Sequence, residues 1–172
     1  MDRNILVFFW IFLIFLSPAS VIAQDQSRQE GGSDGGFWIS PGVETAMYSN
    51  SGASYGAGLA MAYGRGASIG LKTAYLANRE TEIDVMELCL LFRVYFRGGD
   101  FNYGPFIQLT GGQALFFRRE FGLSIPALWG TISGGAGLGW RFLLGNLFFV
   151  EPSIRVGYPY FVGMGLSIGT GF

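Results

Sequence analysis

The chain has 172 residues, half of them hydrophobic, with 28 Gly, 17 Phe, no His, one Cys and only 13% charged residues. That length fits one domain. The net charge of −1 offers no basic footprint for nucleic acid, and the lone Cys89 forms no internal disulfide, so it is read as a small half-buried filler.

Residues 1–23 read as an address. Arg3 gives a short basic start, Ile5 to Leu16 is an unbroken apolar run, and Ser17-Pro18-Ala19-Ser20 breaks it before a cut after Ala23. The run falls short of the ~20 residues of a membrane-spanning helix, so a secretory signal peptide is expected. Residues 24–35, Gln24 to Gly35, carry no apolar position and are expected to be a flexible lead-in on the periplasmic side.

Residues 36–172 break into segments of about 10 to 14 residues that alternate with period two, the signature of strands. The first sets Phe37, Ile39, Val43 and Met47 against Trp38, Ser40, Gly42, Glu44, Ala46 and Tyr48. The second sets Tyr55, Leu59, Met61 and Tyr63 against Ser54, Gly56, Gly58 and Ala62. The third sets Ile69, Leu71, Thr73 and Tyr75 against Ser68, Gly70, Lys72 and Ala74. The fourth sets Met86, Leu88, Leu90, Phe92, Val94 and Phe96 against Val85, Glu87, Cys89, Leu91, Arg93 and Tyr95. The fifth is less regular, with Ile107 and Leu109 opposite Phe106, Gln108, Thr110 and Gly112. The sixth opposes Ile132, Ala136, Leu138, Trp140 and Phe142 to Ser133, Gly135, Gly137, Gly139 and Arg141. The seventh opposes Phe148, Val150, Ile154 and Val156 to Phe149, Glu151, Ser153 and Arg155. In the eighth, Val162, Met164, Leu166, Ile168, Thr170 and Phe172 oppose Gly163, Gly165, Ser167, Gly169 and Gly171. Pro41 and Pro152 cannot donate to a ladder, so a bulge is expected at each, or a strand that starts just after Pro41.

The charges inside these strands are Glu44, Lys72, Glu87, Arg93, Arg141, Glu151 and Arg155, and all fall on the face of small residues. A water-facing sheet surface would be rich in Lys and Glu, whereas this one is rich in Gly, Ala and Ser. Aromatics on the apolar face sort by height. Phe37, Tyr63, Phe96, Trp140, Phe142, Phe148 and Phe172 take one rim, and Tyr55, Tyr75 and Tyr158 the other. Two aromatic girdles around an apolar band describe a lipid-facing wall. The expected fold is all-β: an eight-stranded antiparallel up-and-down transmembrane β-barrel, closed so that lipid meets no sheet edge.

In this pattern the chain resembles the small eight-stranded bacterial outer-membrane barrels of the OmpA-transmembrane, OmpX and OmpW-like group. The resemblance covers Gly36 to Phe172. It implies the cell outer membrane as location, reached through the periplasm, with outer-membrane lipid and the barrel-assembly machinery as partners. It also implies that Leu166, Ile168 and Phe172 belong to the assembly signal.

No catalytic, cofactor or metal site is expected. Without histidine no imidazole base exists, and Lys72 and Ser68 are too far apart on one strand face for a Ser-Lys pair. Glu80, Glu82 and Asp84 read as a solvated acidic loop, with a weak divalent-cation site as the alternative. The glycine-rich runs near Gly135 and Gly165 lack a following helix and are not nucleotide loops. Eight strands enclose a space that side chains just fill, so the seven charges are expected to pair and plug the lumen of a monomeric, structural protein. Two alternatives stand beside this. One is a narrow pore for small or apolar solutes, in the manner the OmpW-like resemblance implies. The other is a surface-binding protein acting through residues 118–127, with Arg118, Arg119, Phe121 and Leu123 as contacts.

Overall fold

The computed structural model describes residues 36–49, 52–78, 80–97, 103–120, 123–124, 129–145 and 147–172. The expected signal peptide and lead-in lie outside these residues. Among the described residues there are nine strands: β1 (Gly36–Tyr48), β2 (Gly52–Arg65), β3 (Ala67–Ala77), β4 (Ile83–Arg97), β5 (Tyr103–Glu120), β6 (Leu123–Ser124), β7 (Trp129–Leu144), β8 (Phe148–Tyr158) and β9 (Tyr160–Gly171). The two-residue β6 pairs only with the tip of β5. The other eight run antiparallel in the order β4-β3-β2-β1-β9-β8-β7-β5, and β5 pairs with β4 to close the barrel. No helix of the described residues is long and apolar enough to cross a membrane.

The alternation sets the two surfaces. Val43, Ile69, Leu90, Leu109, Ile132, Leu138, Ile154, Met164 and Ile168 are exposed on the outside. Glu87, Arg93, Arg141, Glu151 and Arg155 are buried inside. A water-soluble sheet would do the reverse, so the interior of the described residues is the lumen. The lower rim is where the chain closes on itself: Phe37 and Phe172 exchange backbone hydrogen bonds of 3.0 and 2.8 Å. Phe37, Tyr63, Phe96, Trp140, Phe142, Phe148 and Phe172 ring this end on the outside, joined by Tyr103. Tyr55, Tyr158, Phe161 and Trp129 are exposed toward the other end.

Pro41 and Pro152 sit in register, and neither marks a bulge. Around Pro41 the partners run from Ile39↔Thr170 to Gly42↔Ser167, three steps on each strand. Around Pro152 they run from Gly139↔Ser153 to Phe142↔Val150, again three on each. Each proline therefore costs ladder bonds to one neighbour while its other flank pairs without interruption, as in Pro41↔Leu59 and Pro152↔Leu166. The bulges lie elsewhere. Between Met47↔Val162 and Tyr48↔Tyr160 the β9 strand holds one extra residue, Phe161, and a second irregularity falls between Tyr95 and Arg97 of β4.

Asp84 corrects the reading of the acidic loop. It belongs to β4, shares the outward parity of Met86, and is fully buried at the upper rim. The hydroxyl of Tyr75, from the neighbouring strand, donates to its carboxylate. One strand carboxylate thus lies on the outer face, shielded there by the tyrosine.

Candidate functional site: the lumen

The seven predicted lumen charges all point into the barrel, where they form two layers. In the upper layer Lys72 from β3 reaches both oxygens of Glu44 on β1, at 2.8 and 3.0 Å. Arg155 from β8 joins the oxygens of two carboxylates, Glu44 at 3.1 Å and Glu87 of β4 at 2.6 Å. The hydroxyl of Tyr48 donates to the other oxygen of Glu87. The result is one chain across the lumen: Tyr48, Glu87, Arg155, Glu44, Lys72.

In the lower layer Glu151 of β8 takes three charge-assisted bonds. Arg93 Nη1 approaches both its oxygens at 2.9 Å, and Arg141 Nε lies 2.6 Å from Oε1. Arg93 also donates to Gln108 at 2.9 Å and to the Tyr95 hydroxyl at 3.2 Å. Aromatic faces hold both guanidiniums. Arg141 lies 3.7 Å from the Phe149 ring centre and 4.8 Å from that of Trp38; Arg93 lies 4.1 Å from Phe106 and 4.6 Å from Trp38. Such stacking stabilises a desolvated cation by up to ~2 kcal/mol per contact. Four cations (Lys72, Arg93, Arg141, Arg155) meet three carboxylates (Glu44, Glu87, Glu151), so the aromatic faces help where carboxylates run short.

Beyond each layer sits an apolar cap. The upper one gathers Tyr48, Leu76, Val85, Ala114, Phe116 and Tyr160. Tyr48 meets Phe116 and Tyr160 edge-on, with ring centres 6.0 and 6.1 Å apart. The lower cap gathers Trp38, Ala62, Leu91 and Phe149, with Trp38 and Phe149 edge-on at 6.3 Å. These caps require the glycines of the inner face. A Cβ at Gly169 would fall on the Phe149 ring, one at Gly139 on the Phe106 ring, and one at Gly135 on the Tyr160 hydroxyl. The tiny residues therefore leave no large void, because rings from neighbouring strands lie over them. Between the layers a cavity of about 30 Å³ persists, lined by Ser40, Glu44, Lys72, Arg93, Glu151 and Ser167 among others. That is room for one or two waters.

The caps are what the sequence reading missed. Trp38, Tyr48, Tyr95, Phe106 and Phe149 carry inward parity, and that signal was available. Tyr160 was not legible: counted back from Phe172 it falls on the lipid face, and only the extra residue Phe161 turns it inward, where it is 1% exposed.

The remaining predicted residues fall elsewhere. Leu166, Ile168 and Phe172 are exposed on the outer face. Arg118 and Arg119 belong to β5, which runs on past the expected loop start, with Arg118 opposite Ile83 and Arg119 opposite Ser124. Leu123 lies in β6, whereas Phe121 lies outside the described residues. Lys72 is engaged by Glu44, and the Ser68 hydroxyl has no hydrogen-bond partner among the described residues, so the two do not form a pair. Cys89 is buried, its sulfur 3.9 Å from the Ser133 hydroxyl. Among the described residues no cluster of metal-ligating side chains occurs.

A closed eight-stranded antiparallel barrel with an apolar outside and a charged inside is the architecture of small outer-membrane β-barrel proteins. Solved structures of such proteins superpose on this chain. Neisserial surface protein A matches with a TM-score of 0.55 at 13% identity, over 83% of this chain and 98% of that one. The outer membrane protein OprG from Pseudomonas aeruginosa gives a TM-score of 0.58 at 13% identity, over 83% and 98%. The N-terminal β-barrel domain of OprF from Pseudomonas aeruginosa gives 0.54 at 14% identity, over 83% and 100%. At these identities the likeness is one of fold. No family model matches the chain, and no curated protein does.

Proposed function

We propose that this chain is a non-enzymatic integral protein of a bacterial outer membrane, structural in role, with a lumen sealed by its own side chains. The observation that carries the reading is the sequence of layers along the barrel axis: aromatic cap, ion-pair layer, water-sized cavity, ion-pair layer, aromatic cap. A conducting path would have to part both layers, and removing one partner of a buried ion pair costs about 3–5 kcal/mol. The absence of histidine from the whole sequence and the engagement of Lys72 by Glu44 support the non-enzymatic part. The outward apolar band and its two aromatic rims support contact with outer-membrane lipid. On this reading the chain crosses the periplasm and is inserted by the barrel-assembly machinery.

Conductance of the purified protein in planar bilayers tests the proposal. A silent bilayer is expected; discrete steps at the wild-type sequence would show that the layers open and would replace the sealed lumen with the narrow-pore alternative.

A further inference from the structure

The lumen holds more positive charge than negative, and its hydrogen bonding is short in the same direction. Among the described residues Lys72, Arg93, Arg141 and Arg155 stand inside against Glu44, Glu87 and Glu151. The upper layer balances, with two cations on two carboxylates. The surplus lies in the lower layer, where Arg93 and Arg141 share Glu151. Stacking on Trp38, Phe106 and Phe149 eases the burial of these guanidiniums but cancels no charge.

Both oxygens of each carboxylate are already engaged. Lys72 and Arg155 take those of Glu44, Tyr48 and Arg155 those of Glu87, and Arg93 and Arg141 those of Glu151. The nitrogens left over are all donors. Arg93 Nε, Arg141 Nη2, Arg155 Nε and Trp38 Nε1 are buried and have no acceptor among the described residues. Guanidinium and indole nitrogens donate and cannot accept. A water would accept from such donors and leave the surplus charge buried, which is costly. An anion answers both deficits at once.

The cavity between the layers offers it a place. Arg93 lines this cavity from the lower layer and Lys72 from the upper, with Ser40, Ser153 and Gln108 beside them. Glu44 and Glu151 line it too, but cations already stand on their oxygens. Space for one or two waters admits a halide ion and excludes an organic acid. We infer that the lumen binds one small monovalent anion of chloride size, held in this cavity between Arg93 and Lys72. The ion is captured as the barrel closes, and it brings the interior to neutrality. The inference does not depend on whether the lumen conducts, because it is read from stability and position rather than from flux.

The test refolds the full barrel into lipid vesicles in mixtures of sodium chloride and sodium gluconate at fixed ionic strength. Gluconate is too large for the cavity. An ion that binds only the folded state raises the folding equilibrium constant up to tenfold for each tenfold rise in chloride. Urea unfolding should show this slope in the wild type. Arg141→Met removes the surplus cation and leaves Arg93 on Glu151, so its slope should be flat. Gel mobility before and after boiling checks that the variant is folded. Crystals of the wild type refolded in bromide should show an anomalous peak within hydrogen-bond distance of Arg93 or Lys72, a readout that needs no variant. Stability of the wild type that ignores chloride would overturn the inference, as would equal slopes in the two proteins. Bromide found on the barrel surface alone, an adventitious ion only, would overturn it as well.

Discussion

Glu151→Gln is the sharpest test of the lower layer. In the native barrel this carboxylate takes Arg93 at 2.9 Å and Arg141 at 2.6 Å and is 1% exposed. The amide keeps the shape of the side chain but removes the only charge between two guanidiniums. Each charge-assisted bond is worth about 1.5–3 kcal/mol, and two cations would remain buried without a carboxylate. Stacking on Trp38, Phe106 and Phe149 offsets part of that loss. A net destabilisation of about 3–5 kcal/mol is expected, two to three and a half orders of magnitude in the folding equilibrium. Urea unfolding from lipid vesicles measures it. The joint replacement Arg141→Met, Glu151→Met should cost less than Glu151→Gln alone, because it removes a charge of each sign together. If Glu151→Gln unfolds within about 1 kcal/mol of the wild type, the lower layer does not hold the barrel and the reasoning fails.

Three other outcomes follow from the same geometry. Gly169→Val should destabilise by about 1–3 kcal/mol through the clash with the Phe149 ring, and Phe149→Leu in the same chain should recover part of it, both read by urea unfolding. Leu138→Arg, on the lipid face near the middle of β7, should cost about 2–4 kcal/mol, whereas the same change at Leu144 near the lower rim should cost about 0–1; equal costs would misplace the membrane band. Phe161 deletion should restore the simple alternation of β9 and turn Tyr160 to lipid. Quenching of residue 160, replaced by Trp, with brominated lipid should rise relative to the undeleted chain.

Period-two alternation carried most of this fold because a strand has only two faces, and here the two differ in both size and charge. Every one of the seven predicted lumen charges lies inside for that reason. Which charge meets which was not legible. Glu87 and Arg155 are 68 positions apart, and Arg93 and Glu151 58 apart, and their meeting depends on the register of strands between them. Parity fails where the count of residues fails, as at Phe161. It also says nothing about proline, whose ladder cost depends on the flank toward which the missing N–H points. Asp84 escaped because an acidic residue beside a turn looks like loop until Tyr75 is placed over it.

The division of labour between the two surfaces explains why the inner face is so small. Lipid-facing residues need only be apolar and can be replaced by one another at little cost. The lumen must instead accommodate four long cations, three carboxylates and at least seven aromatic rings within eight strands. Rings and guanidiniums from one strand fit only where the facing strand supplies no side chain, so glycine at 135, 139 and 169 is as much a part of the lumen packing as Tyr160, Phe106 and Phe149. The same packing couples cap to charge: Tyr48 closes the upper end with its ring and holds Glu87 with its hydroxyl. Opening a path through this barrel therefore means moving an aromatic cap and an ion pair together. That coupling, more than the narrowness of eight strands, is the argument for a sealed lumen.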